Sequence, residues 1–224
     1  GALPGVVGHN RPMSPTTDTR VSAVVLDYGN VLVAWEAMAA VAGRVSQADW
    51  DEFCQGADFD ALNARSDLGE PFEDILADLA ATHPRRPDWV EILSTYRANF
   101  PDSLTGPVPG TLGVVDDLLA AGVPLYLLSN FDAPTFPAAR AMVPQLERFR
   151  GLMVSGQERQ VKPSPVIFRR LLERYGLIAA FTLFVDDSPA NIRGARAVGL
   201  RTHHFTGAGR LRADLIERGL LPRP

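Results

Sequence analysis

Short apolar runs, largely β-branched and without polar alternation, constrain this chain more than any other feature. They occupy residues 21–26 (VSAVVL), 123–128 (VPLYLL), 152–154 and 181–185 (FTLFV). A half-solvated strand alternates apolar and polar residues, whereas a strand covered on both faces does not. Such runs therefore predict a parallel sheet sandwiched between helices. Residues 201–205 would add a fifth strand, although His203 and His204 make it more polar than the others.

Between the runs lie helical patterns with readable ends. Residues 111–121 follow Pro109-Gly110 and stop at Gly122. Residues 165–175 open with a proline, which suits a first helical turn, and stop at Gly176. Residues 189–198 sit between Ser188, a good N-cap, and Gly199, and residues 211–218 precede Gly219. Strand–helix alternation of this kind implies crossover connections and an α/β class.

Residues 36–100 break the alternation. They contain helical stretches at 72–82 and 88–99, no convincing buried strand, and enough aromatic residues (Trp50, Phe53, Phe59, Phe72, Trp89, Tyr96, Phe100) for a small core of their own. The expected organisation is a flexible tail over residues 1–20, an α/β core over 21–35 and 101–224, and a helical insertion over 36–100. The tail lacks a continuous apolar stretch, which argues against a signal peptide and for a cytoplasmic protein.

Composition removes several function classes. The net charge of −4 gives no basic surface for a nucleic-acid backbone. A single cysteine, Cys54, rules out an internal disulfide and a cysteine zinc cluster, and four histidines are too scattered for a metal cage. No segment reaches the roughly 18–20 apolar residues of a membrane helix. Arginine occurs 21 times and lysine once, at Lys162, which hints at a position that needs a compact ammonium rather than a planar fork.

In an open parallel sheet, ligands bind beyond the carboxyl ends of the strands. Three of the runs end there in polar residues: Asp27, Ser129-Asn130 and Asp186-Asp187. Lys162 precedes Pro163 near a helix start on the same side. Oxygen ligands of this kind suit Mg²⁺, and the hydroxyl and ammonium suit phosphate oxygens. Taken singly, Asp27 and Ser129-Asn130 would serve as turn residues and Ser188 as a helix cap.

The runs Val24-Val25-Leu26-Asp27-Tyr28-Gly29-Asn30-Val31-Leu32, Leu127-Leu128-Ser129-Asn130, Val161-Lys162-Pro163 and Phe184-Val185-Asp186-Asp187-Ser188-Pro189-Ala190-Asn191 resemble, in order, the four motifs of the haloacid dehalogenase (HAD) superfamily. The resemblance covers residues 21–205. It implies a HAD-like, Rossmannoid α/β core, with the insertion in the place of the family's first-type helical cap. It implies that Asp27 is a nucleophile forming an aspartyl-phosphate, that Ser129 and Asn130 meet the substrate, and that Lys162 neutralises the charge between nucleophile and phosphate. Mg²⁺ would be held by Asp27, the Gly29 carbonyl and Asp187, with Asp186 in or just behind the metal shell and Asn191 supporting it.

The implied activity is hydrolysis of a small phosphorylated metabolite, possible sugar phosphates included, with monomer or homodimer left open. One departure stands out. The family's phosphatases usually carry a second aspartate two residues after the nucleophile, and here that position is Gly29. Loss of a general acid typically removes about 10²–10⁴-fold in rate. The substitution favours substrates with good leaving groups, or an acid supplied elsewhere, for example by Asp132 or a residue of the insertion. The rival readings are a 2-haloacid dehalogenase, whose halide leaves without a proton, and a binding-only protein. Of the remaining residues, Trp35 either lines the cleft or packs under the insertion. Asn63 and Arg65 are candidates to face substrate, Arg85-Arg86 reads as a solvated turn, and Cys54 as a packed thiol.

Overall fold

A computed structural model describes residues 20–224, so the expected tail, Arg20 apart, lies outside the described residues. Strand β1 (Ala23–Leu26) runs through a turn into the short strand β2 (Val33–Trp35). Four helices follow: α1 (Gln47–Gly56), α2 (Phe59–Asp67), α3 (Phe72–Thr82) and α4 (Pro87–Ala98). Strand β3 (Leu104–Pro107) then pairs antiparallel with β2. This ribbon sits at the root of the insertion and was not anticipated, because strands of three and four residues, one of them ending in Gly-Pro, carry no periodic signal.

From there the expected alternation holds. Helix α5 (Thr111–Ala120), β4 (Leu125–Ser129), α6 (Phe136–Met142), β5 (Gly151–Val154) and the single turn α7 (Ser155–Glu158) come first. Helix α8 (Pro165–Tyr175), β6 (Thr182–Asp186), α9 (Pro189–Ala197), β7 (Arg201–His204) and α10 (Ala208–Glu217) complete the chain. Helix α8 ends at Gly176, whose φ of 61° a residue with a Cβ tolerates poorly. Among the described residues no helix is long and apolar enough to cross a membrane.

The five main strands form one parallel sheet in the order β5-β4-β1-β6-β7. Alternate residues of each strand feed opposite faces. Val24 and Leu26 join Leu125, Leu127, Leu183 and Val185 in one buried cluster, while Ala23 and Val25 join Tyr126, Leu128 and Phe184 in the other. Helices α8 and α9 cover the second face through Ile167, Phe168, Leu171, Ile192 and Ala195. Helices α5 and α10 cover the first, through Val114, Val115, Leu118, Leu211 and Leu215.

The aromatic residues of 36–100 do not form a separate core. They belong to the first cluster, joined to it by a file of rings: Trp50–Phe59 at 5.1 Å, Phe59–Tyr96 at 5.1 Å, Tyr96–Phe100 at 6.0 Å and Phe100–Phe131 at 5.5 Å between centroids. One continuous core buries a larger share of apolar surface than two small ones would.

Helix α9 approaches the Lys162-Pro163 loop closely. A Cβ at Gly194 would lie 2.6 Å from the Pro163 carbonyl oxygen and 2.9 Å from Pro163 Cβ. Backbone on that side cannot yield as a flexible side chain would. Gly194→Ala is therefore expected to lower stability by about 1–3 kcal/mol in urea unfolding, despite alanine's better helix propensity. A gain in stability would mean that the loop is free to move.

Candidate active site

Strands β4, β1 and β6 are adjacent and parallel, with Leu26 level with both Leu127 and Val185. One residue beyond that level come Asp27 and Asp186, and two beyond it Ser129, so the sheet brings together side chains separated by more than 150 positions in sequence. Ser129 and Asp186 are the last residues of their strands rather than the first beyond them. Asp27, Ser129, Lys162 and Asp186 are all buried.

Lys162 reaches into this edge from the loop before α8. Its Nζ lies 2.9 Å from Asp27 Oδ1 and 2.7 Å from Asp186 Oδ2, and donates to the Leu128 carbonyl at 3.0 Å. An ammonium carries three donors on one atom, which suits three acceptors converging on a point. Asn130 fixes the lysine's backbone: its Oδ1 accepts from Lys162 N at 2.8 Å and its Nδ2 donates to Lys162 O at 3.0 Å. Asn130 was expected to meet substrate. It lines the pocket, but both ends of its amide are engaged in this clamp.

Asp186 is held on both oxygens. Ser188 N donates to Oδ1 at 2.8 Å, and Asn191 Nδ2 lies 3.2 and 3.1 Å from Oδ1 and Oδ2. Ser188 does cap α9, accepting from Asn191 N at 3.4 Å, so the helix cap and the acidic site share one turn. His204 Nε2 lies 3.0 Å from the Asp187 carbonyl, while His203 is paired with Asp214 at 2.8 Å.

The turn after β1 is built around Tyr28. Its carbonyl accepts from Leu32 N at 2.8 Å, and Asn30, at φ 59°, accepts from Trp35 N through its side chain at 3.0 Å. Asparagine is one of the few residues that adopts this conformation readily. Gly29 lines the pocket beside Asp27; it has no positive φ, and a Cβ there would meet no atom within 4 Å. The backbone does not require glycine at this position.

One carboxylate oxygen from each of Asp27, Asp186 and Asp187 lies within 4.8 Å of the others. Burial pushes the Asp27 carboxyl up to about 7, with Lys162 opposing and Asp186 adding to the rise. Asp187 is raised by burial and then by Asp186. For Lys162, burial alone would favour the neutral amine, but Asp27 and Asp186 outweigh it and hold the ammonium above its usual range. Three carboxyls against one ammonium leave an excess of negative charge that a hard divalent cation would neutralise. Asp27 Oδ1 is already engaged by Tyr28 N at 2.8 Å and by Lys162, which leaves Oδ2 for a further partner.

A cavity of about 170 Å³ extends from Asp27 toward the insertion. Its wall is largely apolar: Trp35, Phe59, Leu62, Phe72, Ile75, Leu93, Tyr96, Phe100, Leu104 and Phe131. Polar side chains are fewer and include Asn63, Ser66, Asp67, Arg97, Asp132 and Thr135. Trp35 and Asn63 thus do line the cleft. Arg65 does not; it pairs with Glu70 at 2.5 Å and Asp78 at 2.8 Å. Arg86 pairs with Glu52 and Asp88 and lies over the Trp89 ring, and Cys54 is half-buried, with its thiol pushed up to about 11 by burial.

Asp132 bonds Arg97 at 2.6 Å and accepts from Thr135 at 3.0 Å. Neither Arg97 nor Asp67 was singled out from the sequence. Each stands at the end of an insertion helix among other charged residues, and no spacing distinguishes it.

Below about 7 a cation must displace a proton from Asp27. Divalent-cation affinity is therefore expected to weaken roughly tenfold per unit fall in pH below that point and to level off above it, as read by titration calorimetry. Asp187→Ala should weaken binding at every pH. Affinity independent of pH would show that cation binding displaces no proton from Asp27.

Residues 21–199 match the family model for haloacid dehalogenase-like hydrolases. The chain is 27% identical over 199 residues to the sesquiterpene phosphatase astK of Aspergillus oryzae, covering 84% of this chain and 91% of that protein. It is 35% identical over 130 residues to the phosphoglycolate phosphatase of Rhodospirillum rubrum, covering 55% of this chain and 50% of that one. Among solved structures, the HAD family enzyme bt-2542 of Bacteroides thetaiotaomicron, in complex with magnesium and inorganic phosphate, superimposes with a TM-score of 0.60 at 17% identity, covering 84% of this chain and 95% of that chain. With the family match spanning most of the sequence and the sheet order, strand-end carboxylates and buried lysine in place, the chain belongs to the haloacid dehalogenase-like hydrolases.

Proposed function

We propose that the protein is a Mg²⁺-dependent phosphatase that hydrolyses small phosphate monoesters through an aspartyl-phosphate on Asp27. The observation that carries this reading is Lys162 buried between Asp27 and Asp186, with Asp187 beside them. A binding-only protein has no need of a nucleophile, a buried counter-ion and a cation site at one point.

In this reading Asp27 Oδ2 attacks phosphorus while Lys162 holds Oδ1 and balances the charge that builds on the phosphoryl oxygens. The Ser129 hydroxyl, at the end of β4, donates to one of those oxygens. Asp27, the Gly29 carbonyl and Asp187 would hold Mg²⁺, with Asp186 oriented behind them by Asn191 and Ser188. The ion would supply positive charge to the transferring phosphoryl group. Support for metal and reaction comes from the two phosphatase relatives and from the magnesium and phosphate bound by the Bacteroides enzyme of the same fold.

The insertion would act as a cap, and its apolar wall favours particular esters. A sugar phosphate would leave any hydroxyl that faces Phe59, Leu62, Phe72 or Ile75 without a partner, at about 1–3 kcal/mol for each one. Phosphates of apolar or aromatic alcohols suit this lining better, in keeping with the sesquiterpene phosphatase among the relatives. Residues 36–100 would exclude water and select the leaving group, while the core binds the phosphoryl group.

Purified protein is expected to release phosphate from p-nitrophenyl phosphate with Mg²⁺ and not with chelator, and Asp27→Asn should lower turnover by at least about 10³-fold. Chelator-resistant phosphate release, or full activity of the variant, would overturn the reading. Halide release from 2-chloropropionate instead would establish the dehalogenase alternative.

A further inference from the structure

We propose that Asp67, at the end of α2, is the general acid that protonates the leaving oxygen, in the role left open by Gly29. This inference rests on the phosphatase reading above. Besides Asp27, two carboxyls line the pocket, Asp67 and Asp132. Asp132, the core candidate, is engaged by Arg97 at 2.6 Å and by Thr135. Its Oδ2 is thus taken up by two donors of the protein itself.

Asp67 differs in its partners. Among the described residues no cation is paired with its carboxyl, and the hydrogen bond it receives, from Asn63 Nδ2, is long at 3.5 Å. The neighbouring charges of α2 and α3 are matched among themselves: Arg65 binds Glu70 and Asp78. Burial pushes the Asp67 carboxyl up to about 7, Asp132 adds to the rise and Lys162 opposes it. A half-buried carboxyl titrating close to neutrality suits a proton donor.

Its position is fixed to the catalytic strands. Ser155 Oγ donates to the Asp67 carbonyl at 2.5 Å and accepts from Phe131 N at 2.9 Å, two residues beyond Ser129. Two residues after Asp67, a Cβ at Gly69 would lie 2.5 Å from the Gly156 carbonyl, so the end of α2 is seated directly on the core. The insertion thus delivers this carboxyl to the pocket through a serine bridge.

In the proposed step an Asp27 oxygen forms a bond to phosphorus and the bond from phosphorus to the ester oxygen breaks. The electron pair of that bond goes to the leaving oxygen, which takes the proton from Asp67 and departs as an alcohol. Asp67, now a carboxylate, recovers a proton from the water that hydrolyses the aspartyl-phosphate. Inorganic phosphate and free Asp27 are then restored.

The test compares kcat/KM, which reports only the first step, for p-nitrophenyl phosphate and hexyl phosphate. Nitrophenolate leaves without a proton and hexanolate does not. Asp67→Asn is expected to lower kcat/KM for hexyl phosphate by about 10²–10⁴-fold and for p-nitrophenyl phosphate by less than about tenfold. The wild-type profile for hexyl phosphate should fall as pH rises through about 7, and this limb should vanish in the variant. Gly29→Asp has open space, and in the Asp67→Asn background it should recover hexyl phosphate turnover. An equal fall on both esters, or no fall on either, would overturn the role of Asp67 while leaving the phosphatase intact. Failure of the wild type on both esters would overturn the phosphatase reading and this one with it.

Discussion

The buried Lys162 ammonium is the interaction on which the rest of the site depends. An unpaired ammonium in this position would be several kcal/mol out of balance, and so would Asp27 and Asp186 without it. The three are tolerable only together and only in good geometry, so each has its own means of support. Asn130 clamps the lysine's backbone, Asn191 and Ser188 hold Asp186, and the amide of Tyr28 holds Asp27. The close seating of Gly194 against Pro163 keeps the lysine loop against α9. Removing one member of such a buried set typically costs about 3–5 kcal/mol, because the others are left uncompensated.

A second constraint acts from above. The file of rings from Trp50 through Phe59, Tyr96 and Phe100 to Phe131 ties the insertion to the sheet and walls the pocket with apolar surface. That surface also desolvates the carboxyls at its base. Burial is the largest influence on Asp27, Asp67 and Asp187 alike. Packing and acid–base chemistry therefore have one physical origin here.

Much of this was legible in the chain. Uninterrupted apolar runs are a direct imprint of strands covered on both faces, and Pro, Ser and Gly mark helix ends through backbone geometry that is local. Asp27, Ser129, Lys162, Asp186 and Asp187 could be named as candidates because each stands at the end of such a run or beside a readable helix start. The β2–β3 ribbon was missed because strands of three and four residues are too short for periodicity. The aromatics of 36–100 suggested a separate core, and only the ring contacts to Phe100 and Phe131 reveal that the cluster is continuous.

The sequence by itself determined the α/β class, the run of helices that follows the first strand and the edge of the sheet where the polar residues gather, because all three follow from local patterns of burial and chain geometry. Only the tertiary structure decided how those residues divide their work. It assigned both ends of the Asn130 amide to Lys162, engaged Asp132 with Arg97, and left Asp67 in the pocket with no cation paired to it among the described residues. Those distinctions depend on distances between residues far apart in the chain and on the low polarity around them. Neither quantity exists until the sheet and the insertion have closed on each other.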